Sequence, residues 1–315
     1  MSVLLNISVL RPCHLCYSPP EVDSTDSKAG AQMGKQMGKQ MGKQVGEIRM
    51  EYFLVEKTKQ LIGGFFAVQN EVGLGRNEEA YQRAFEIWTH EQRLPIASKP
   101  PVQLRIRDRR AHTLYPDFVG WDEIVVELKA LPRAIGPSET LQLFDYLRAR
   151  RSRLGLLVNM GLDRVQVERR ILDPVETTLA EDFSYWANHI EGSDRDVGIA
   201  IRNALHLVYT EHRTGYSLPI TERLLLTALS LCQLDVSVRP IAPAIFQKQV
   251  VHESALECIV VAGKFVITVT AHFESNEFAK SLGLSHMKTL NTPWGVAANF
   301  GIKECQITAL RYAKK

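Results

Sequence analysis

The sequence predicts an α/β protein: a mixed sheet flanked by helices, with that unit present twice in tandem. Three observations predict it. Strand-like apolar runs such as 124–130 and 154–160 alternate with amphipathic helical stretches between residues 52 and 172. The chain has 315 residues, 45% of them hydrophobic and 23% charged, which suits a water-soluble protein with room for two ordinary domains. Landmarks also recur 140 positions later. Gly75 meets Gly215, Pro100 meets Pro240, and Gly155-Leu-Leu-Val-Asn-Met-Gly161 meets Gly295-Val-Ala-Ala-Asn-Phe-Gly301.

These landmarks divide the chain. Residues 1–49 read as a disordered extension, because Met-Gly-Lys-Gln occurs three times in 33–44 and a glycine in every fourth place defeats a helix. Met50 stands just before the first periodic segment, where the folded protein would naturally start. Residues 51–172 form the first domain, 173–192 a linker with a short helix, and 193–315 the second domain. The five cysteines are odd in number and irregular in spacing, so no disulfide framework is expected, and Cys13-His-Leu-Cys16 is a lone pair without a second. No apolar run reaches membrane-spanning length, and Met1–Leu10 lacks the basic start of a signal peptide. The expected location is the cytoplasm. A net charge of +3 is too mild to require a nucleic-acid partner on its own.

Within the first domain, the apolar positions from Phe53 to Val68 predict a helix over Tyr52–Val72 with one buried face, broken by Gly73 and Gly75. Asn77 is a good N-cap for a second helix, and Glu78 and Glu79 suit its first turn. Val102, Leu104 and Ile106 alternate with polar residues as a half-buried strand. Asp108–Arg110 is the expected turn, and 112–119 returns antiparallel. Ile124–Ala130 is the central strand, Ser138 caps a helix, and Leu154–Met160 is a parallel strand reached through that helix. Val165–Ile171 closes the unit as a strand or turn.

The chemistry centres on Asp117, Glu127 and Lys129. On a strand, residues two apart share a face, so Glu127 and Lys129 point together while Val126 and Leu128 point into the core. Charges on such a strand are tolerated when they are paired or hold a metal. Two carboxylates and a lysine are what a Mg²⁺ (or Mn²⁺) site for phosphodiester cleavage requires: hard oxygens hold the ion, and the lysine orients the attacking water. The plain alternative is a Glu–Lys pair at a sheet edge. Two arginine clusters, 105–110 and 148–153, are candidate phosphate-facing patches or solvated basic faces.

Four landmarks in order carry a family resemblance. They are Gly75, Glu78 and Tyr81 within 72–81; Tyr115-Pro-Asp117 followed by Glu127-Leu-Lys129; Gln142-Leu-Phe-Asp-Tyr-Leu147; and the strand Gly155–Gly161. Residues 52–172 thereby resemble the GxxExxY family of the PD-(D/E)xK nuclease-like superfamily. The resemblance implies a restriction-endonuclease-like core and a metal-dependent nuclease, without a known substrate. It implies Asp117 and Glu127 as metal ligands, Glu78 as a further metal or water ligand, Lys129 as the water-positioning base, and Gln142 as a helper. Tyr81, Tyr146, Arg148, Arg150 and Arg151 are candidates for nucleic-acid contact, with DNA favoured over RNA and both left open. The rival reading is a non-catalytic nucleic-acid-binding or assembly module on the same fold.

In the second half the chemistry is absent. Leu218 stands at the Glu78 position, Glu257 at Asp117, Ile267 at Glu127, Val269 at Lys129 and Leu282 at Gln142; a shift of one residue puts Thr268 and Thr270 on the central strand instead. An empty copy fits a pseudo-dimer within the chain, and assembly into homo-oligomers is open.

Overall fold

The computed structural model describes residues 54–187 and 189–313. The Met-Gly-Lys-Gln repeats and the Cys13–Cys16 pair lie outside the described residues. From Thr58 onward the chain packs as one unit.

The first half opens with α1 (54–72) and α2 (Glu78–Glu91), joined by a turn in which Gly73 and Gly75 both take positive φ. Asn77 caps α2, its Oδ1 accepting from Ala80 N at 3.0 Å. Five strands then make a mixed sheet in the order β1 (Ile96–Ser98), β4 (Phe118–Gly120), β5 (Ile124–Lys129), β6 (Leu154–Asn159), β7 (Gln166–Ile171). β5 and β6 are parallel, and α3 (Pro137–Arg150) is the crossover between them. Leu143 and Leu147 of α3 share a core with Val125 and Leu157. α1 and α2 cover the other face: Phe65 stacks on Phe85 at 4.2 Å, and Phe85 meets the edge of Phe118, which pairs with Val126.

One expected element is redrawn. The return strand is two strands, not one. β2 (Val102–Ile106) and β3 (Arg109–Leu114) form a separate hairpin, whereas β4 joins the main sheet. The break falls at Tyr115-Pro116, where proline has no N–H to continue a ladder. The hairpin turn is Arg107–Asp108, with Ile106 paired to Arg109.

β8 (Thr178–Asp182), drawn from the stretch expected to be a linker, runs parallel to a strand of the second sheet, and α4 (Ser184–Ala187) follows it. The second half then runs through α5 (Gly192–His212), α6 (Leu218–Leu231), β9 (Val236–Val238), the hairpin β10 (Ile241–Phe246) and β11 (Gln249–Ala255), β12 (Ile259–Val261), β13 (Phe265–Ala271), α7 (Glu277–Leu290), β14 (Trp294–Phe300) and β15 (Glu304–Arg311). The sheet order is β8-β15-β14-β13-β12-β9, with β13 and β14 parallel. Apart from β8, this is the succession of the first half. Backbone conformations also recur: Arg93, Lys99, Arg107 and Arg151 have positive φ, and so do Gln233, Arg239, Gln247 and Asn291, each 140 positions on.

A continuous core joins Leu143, Tyr146 and Leu147 of α3 and the β2 residues to α5 and α6. No helix among the described residues is long and apolar enough to cross a membrane.

Candidate active site

The strand β5 ends in an apolar run that buries Val125, Val126 and Leu128 completely, and the same burial takes Glu127 to 2% exposure. Lys129, at the strand end, reaches back to Glu127 with an Nζ–Oε1 distance of 2.6 Å. Asp117 stands just before β4, which pairs antiparallel to β5. Its Oδ2 accepts from Leu128 N at 2.8 Å and its Oδ1 from Gln82 Nε2 at 2.7 Å. One carboxylate is thus placed by a strand end and the other by its antiparallel neighbour.

The electrostatics follow from burial. Desolvation, with the neighbouring Asp117 adding to it, pushes the Glu127 carboxyl up to about 8, against the pull of Lys129. Burial raises Asp117 as well, opposed by its bond from Leu128 N and by Lys129. Burial also raises Glu78, opposed by Lys129. Burial works against the charge on Lys129, but Glu127, Glu78 and Asp117 together outweigh it and hold the ammonium above its ordinary value. Glu127 Oε2 is buried with no hydrogen-bond partner. A proton on Glu127 can be shared with Asp117, whose own two oxygens already accept from Leu128 N and Gln82 Nε2.

These groups line a cleft of about 500 Å³ with Glu78, Gln82, Lys99, Tyr115, Gln142 and Tyr146. Gln142 donates from Nε2 to the Tyr146 hydroxyl at 2.8 Å. Glu78 sits 3.9 Å from Lys129 Nζ and 3.3 Å from Gln82 Nε2. Among the described residues, no three His, Cys, Asp or Glu side chains come together as a ready metal cage. What comes together is the pair Asp117 and Glu127, with Glu78 nearer to Lys129 across the cleft. The pair suits a hard divalent cation: two oxygen donors, one of them an orphan whose charge is strongly disfavoured without a counter-ion.

Two residues expected to contact nucleic acid have other work. Tyr81 is fully buried, and its hydroxyl donates to Gly73 O at 2.8 Å, tying the α1–α2 turn to α2. Its spacing from Glu78 puts it one helical step away, but that step turns it into the core. Arg148 packs between the halves: a methyl group placed on Gly215 would lie 2.6 Å from its Nη2, and its guanidinium stands over Phe144. Arg150 pairs with Asp122, while Arg151 is exposed with a left-handed backbone that ends α3.

Sequence reasoning missed Gln82, Lys99 and Asn159. Gln82 holds Asp117 from 35 residues away. Asn159 is fully buried on β6; its Oδ1 accepts from Leu131 N at 2.8 Å and its Nδ2 donates to Arg133 O at 2.8 Å, clamping the loop that leaves Lys129. The only signal for Asn159 was its place in the repeated Gly155–Gly161 motif.

The second sheet answers the register question. Phe118 pairs with Val126 in the first half and Ile259 with Ile267 in the second. Likewise Lys129 pairs with Asn159, and Thr270 with Asn299. By these pairings Thr268 and Thr270 take strand positions in the second sheet like those of Glu127 and Lys129 in the first, and Cys258 stands before β12 as Asp117 stands before β4. The backbone agrees: Lys99 N bonds Asp117 O, and Arg239 N bonds Cys258 O. An extra residue between β11 and β12 shifts the alignment by one there.

Comparison with known proteins adds one finding. The family model for the PD-(D/E)XK nuclease superfamily matches residues 55–171, the segment that carries all these cleft residues. Neither the curated proteins nor the solved structures give a significant match. By the family-model match, residues 55–171 are similar to the PD-(D/E)XK nuclease superfamily.

Proposed function

We propose that the first half is a divalent-metal-dependent nuclease that hydrolyses phosphodiester bonds. The observation that carries this reading is the partnerless, buried Oε2 of Glu127 beside Asp117, facing a cleft that also holds Lys129. Asp117 and Glu127 would hold Mg²⁺ or Mn²⁺, with Glu78 at the rim. When bound, the ion would lower the pKa of a water and neutralise charge on the scissile phosphate. Lys129, held charged by Glu127, orients the attacking water and stabilises negative charge as it develops on the phosphate. Gln142, bonded to the Tyr146 hydroxyl, offers polar contacts at the same mouth. Lys99 and the exposed Tyr115 give a cation and an aromatic face where a nucleotide strand would enter. Gly75, Glu78 and Tyr81 support placing the domain in the GxxExxY family.

We read the second half as a worn tandem copy. The repeated element order and positive-φ positions support this. Its threonines relieve a cost, because a buried acid and lysine without a metal are poorly tolerated, whereas β-branched residues suit a strand. The plainest test is thermal melting with Mg²⁺ or Mn²⁺. Wild type should gain melting temperature by mass action, and Asp117→Ala should not. An equal gain in both would remove the proposed ligand pair. Retained metal binding with no cleavage of any nucleic acid would favour the non-catalytic binding module.

A further inference from the structure

The first half grips the second through one surface. Its hairpin β2–β3 lies on α5 and α6, burying Val102, Leu104 and Ile106. Arg107 N donates to Glu211 Oε2 at 2.9 Å, and Arg109 Nη1 to Ser230 Oγ at 3.3 Å. Alongside it, α3 meets the α5–α6 turn: Asp145 Oδ1 accepts from Ser217 N at 2.9 Å, and Arg148 covers Gly215.

The contact is not reciprocated. The counterpart hairpin β10–β11 lies open, with Ile241, Ile245, Phe246, Val250 and Val251 each at least 60% exposed. That is a large apolar surface for two short strands, and a soluble chain rarely leaves one uncovered. Beside it, Leu284 of α7 is 41% exposed, in the place where Phe144 of α3 is packed. The counterpart receiving surface is open too. Ser230 of α6 meets Arg109 of the first hairpin; its equivalent on α2 is His90, which is exposed, and Ile87, one turn before it, is 62% exposed. Glu71, in the place of Glu211, is exposed, and a methyl group on Gly75 would face empty space where Gly215 has Arg148.

We infer that β10–β11 of one chain docks on α1 and α2 of a second copy, head to tail, repeating between molecules the contact the two halves make within one. The occupant is a second copy because the chain already makes this contact once: Phe246 and Val251 stand where Ile106 and Ala111 pack, exposed Glu71 stands where Glu211 accepts from Arg107 N, and the open Gly75 stands where Gly215 is covered, while Ile241, Ile245 and Val250 are further apolar residues at the places of Pro101, Arg105 and Arg110. Such a contact is heterologous, so it closes into a ring or extends. It is independent of the nuclease reading, since it uses none of the cleft residues.

Variants that break opposite sides of the contact test it. Phe246→Glu spoils the hairpin, and Ile87→Glu spoils the receiving helices; both side chains are exposed, so each variant should fold, as circular dichroism would verify. Sedimentation of the full-length wild type should show mass above the monomer that grows with concentration, and each variant alone should sediment as a monomer. An equimolar mixture should form a heterodimer, because the Phe246→Glu chain keeps intact helices for the intact hairpin of the Ile87→Glu chain. A wild type that stays monomeric at its highest soluble concentration overturns the proposal. So does an Ile87→Glu chain that associates as wild type does, which would mean that hairpins pair with each other, and so does a mixture that remains monomeric.

Discussion

Glu127 and Lys129 meet through a 2.6 Å ion pair two residues apart on one strand, and the pair uses only one of the two carboxylate oxygens. The other oxygen is buried without a donor, beside a second acid. That relationship makes the strand end expensive when empty and receptive to a cation.

The first prediction concerns pH. Glu127 is raised from 4.5 to about 8, so the folded chain holds this proton more tightly than the unfolded chain does. Its contribution to stability is full below 4.5 and is lost as pH rises through about 8. Asp117 and Glu78 are raised too and act in the same direction. Urea melts of the metal-free protein should show stability falling across that window, and Glu127→Gln should flatten the fall. Binding a cation must displace the proton, so apparent affinity for Mn²⁺ should climb with pH over the same range. A pH-independent affinity would mean that Glu127 is not a ligand.

A second prediction concerns the crossover helix. Gly155 of β6 lies under α3, where an added methyl group would come 2.8 Å from Leu143 Cδ1. Gly155→Val should force α3 off the sheet and cost about 1–3 kcal/mol, as overpacked cores do. Because α3 carries Gln142 and Tyr146, activity should fall together with stability. Denaturant titration and a cleavage assay on the same sample would check both.

Lys99 supplies a third. Its side chain lines the cleft, and its charge pulls the Glu78 and Asp117 carboxyls down. Lys99→Ala should weaken nucleic-acid binding evenly across sequences and lower the salt slope by about 1. Binding measured across a salt series checks this; an unchanged slope would place the phosphate path elsewhere. Arg151→Ala is the matching test at the exposed end of α3, whereas Arg148→Ala should mainly disturb the joint over Gly215.

The joint gives a fourth prediction. Asp145 is buried, and burial raises its carboxyl, while the bonds from Ser217 pull it down. Asp145→Ala leaves the Ser217 N–H without this acceptor and removes the acid nearest Arg148. The loss should be about 1–3 kcal/mol in urea unfolding. A neutral result would mean that water replaces the carboxylate without cost.

Much of the fold was legible in the sequence because its signals are local. The run 124–130, the glycine stop at 73–75 and the Asn77 cap each announce an element through its own neighbours. The acids and lysine were legible because charge on an apolar strand is conspicuous. Tertiary relations were not. Gln82 looks like any helix glutamine until Asp117 is brought to it, and the division of β3 from β4 depends on which sheet each strand joins. The burial of Tyr81 was not legible either, because a motif position does not say which face of its helix packs inward. The sequence left two registers open for the second half, because spacing alone does not say which residues of 267–270 pair with Asn299.

The central claim is a metal-dependent nuclease site built on Asp117, Glu127 and Lys129. Its most direct test is cleavage of single- and double-stranded DNA and RNA by the purified full chain with and without Mg²⁺ or Mn²⁺, with Lys129→Ala measured in parallel. The account predicts hydrolysis only with the cation, reduced about 10²–10⁴-fold in Lys129→Ala if the lysine acts in the proton-transfer and positioning steps. Cation-independent cleavage, or cleavage undiminished in Lys129→Ala, would contradict it.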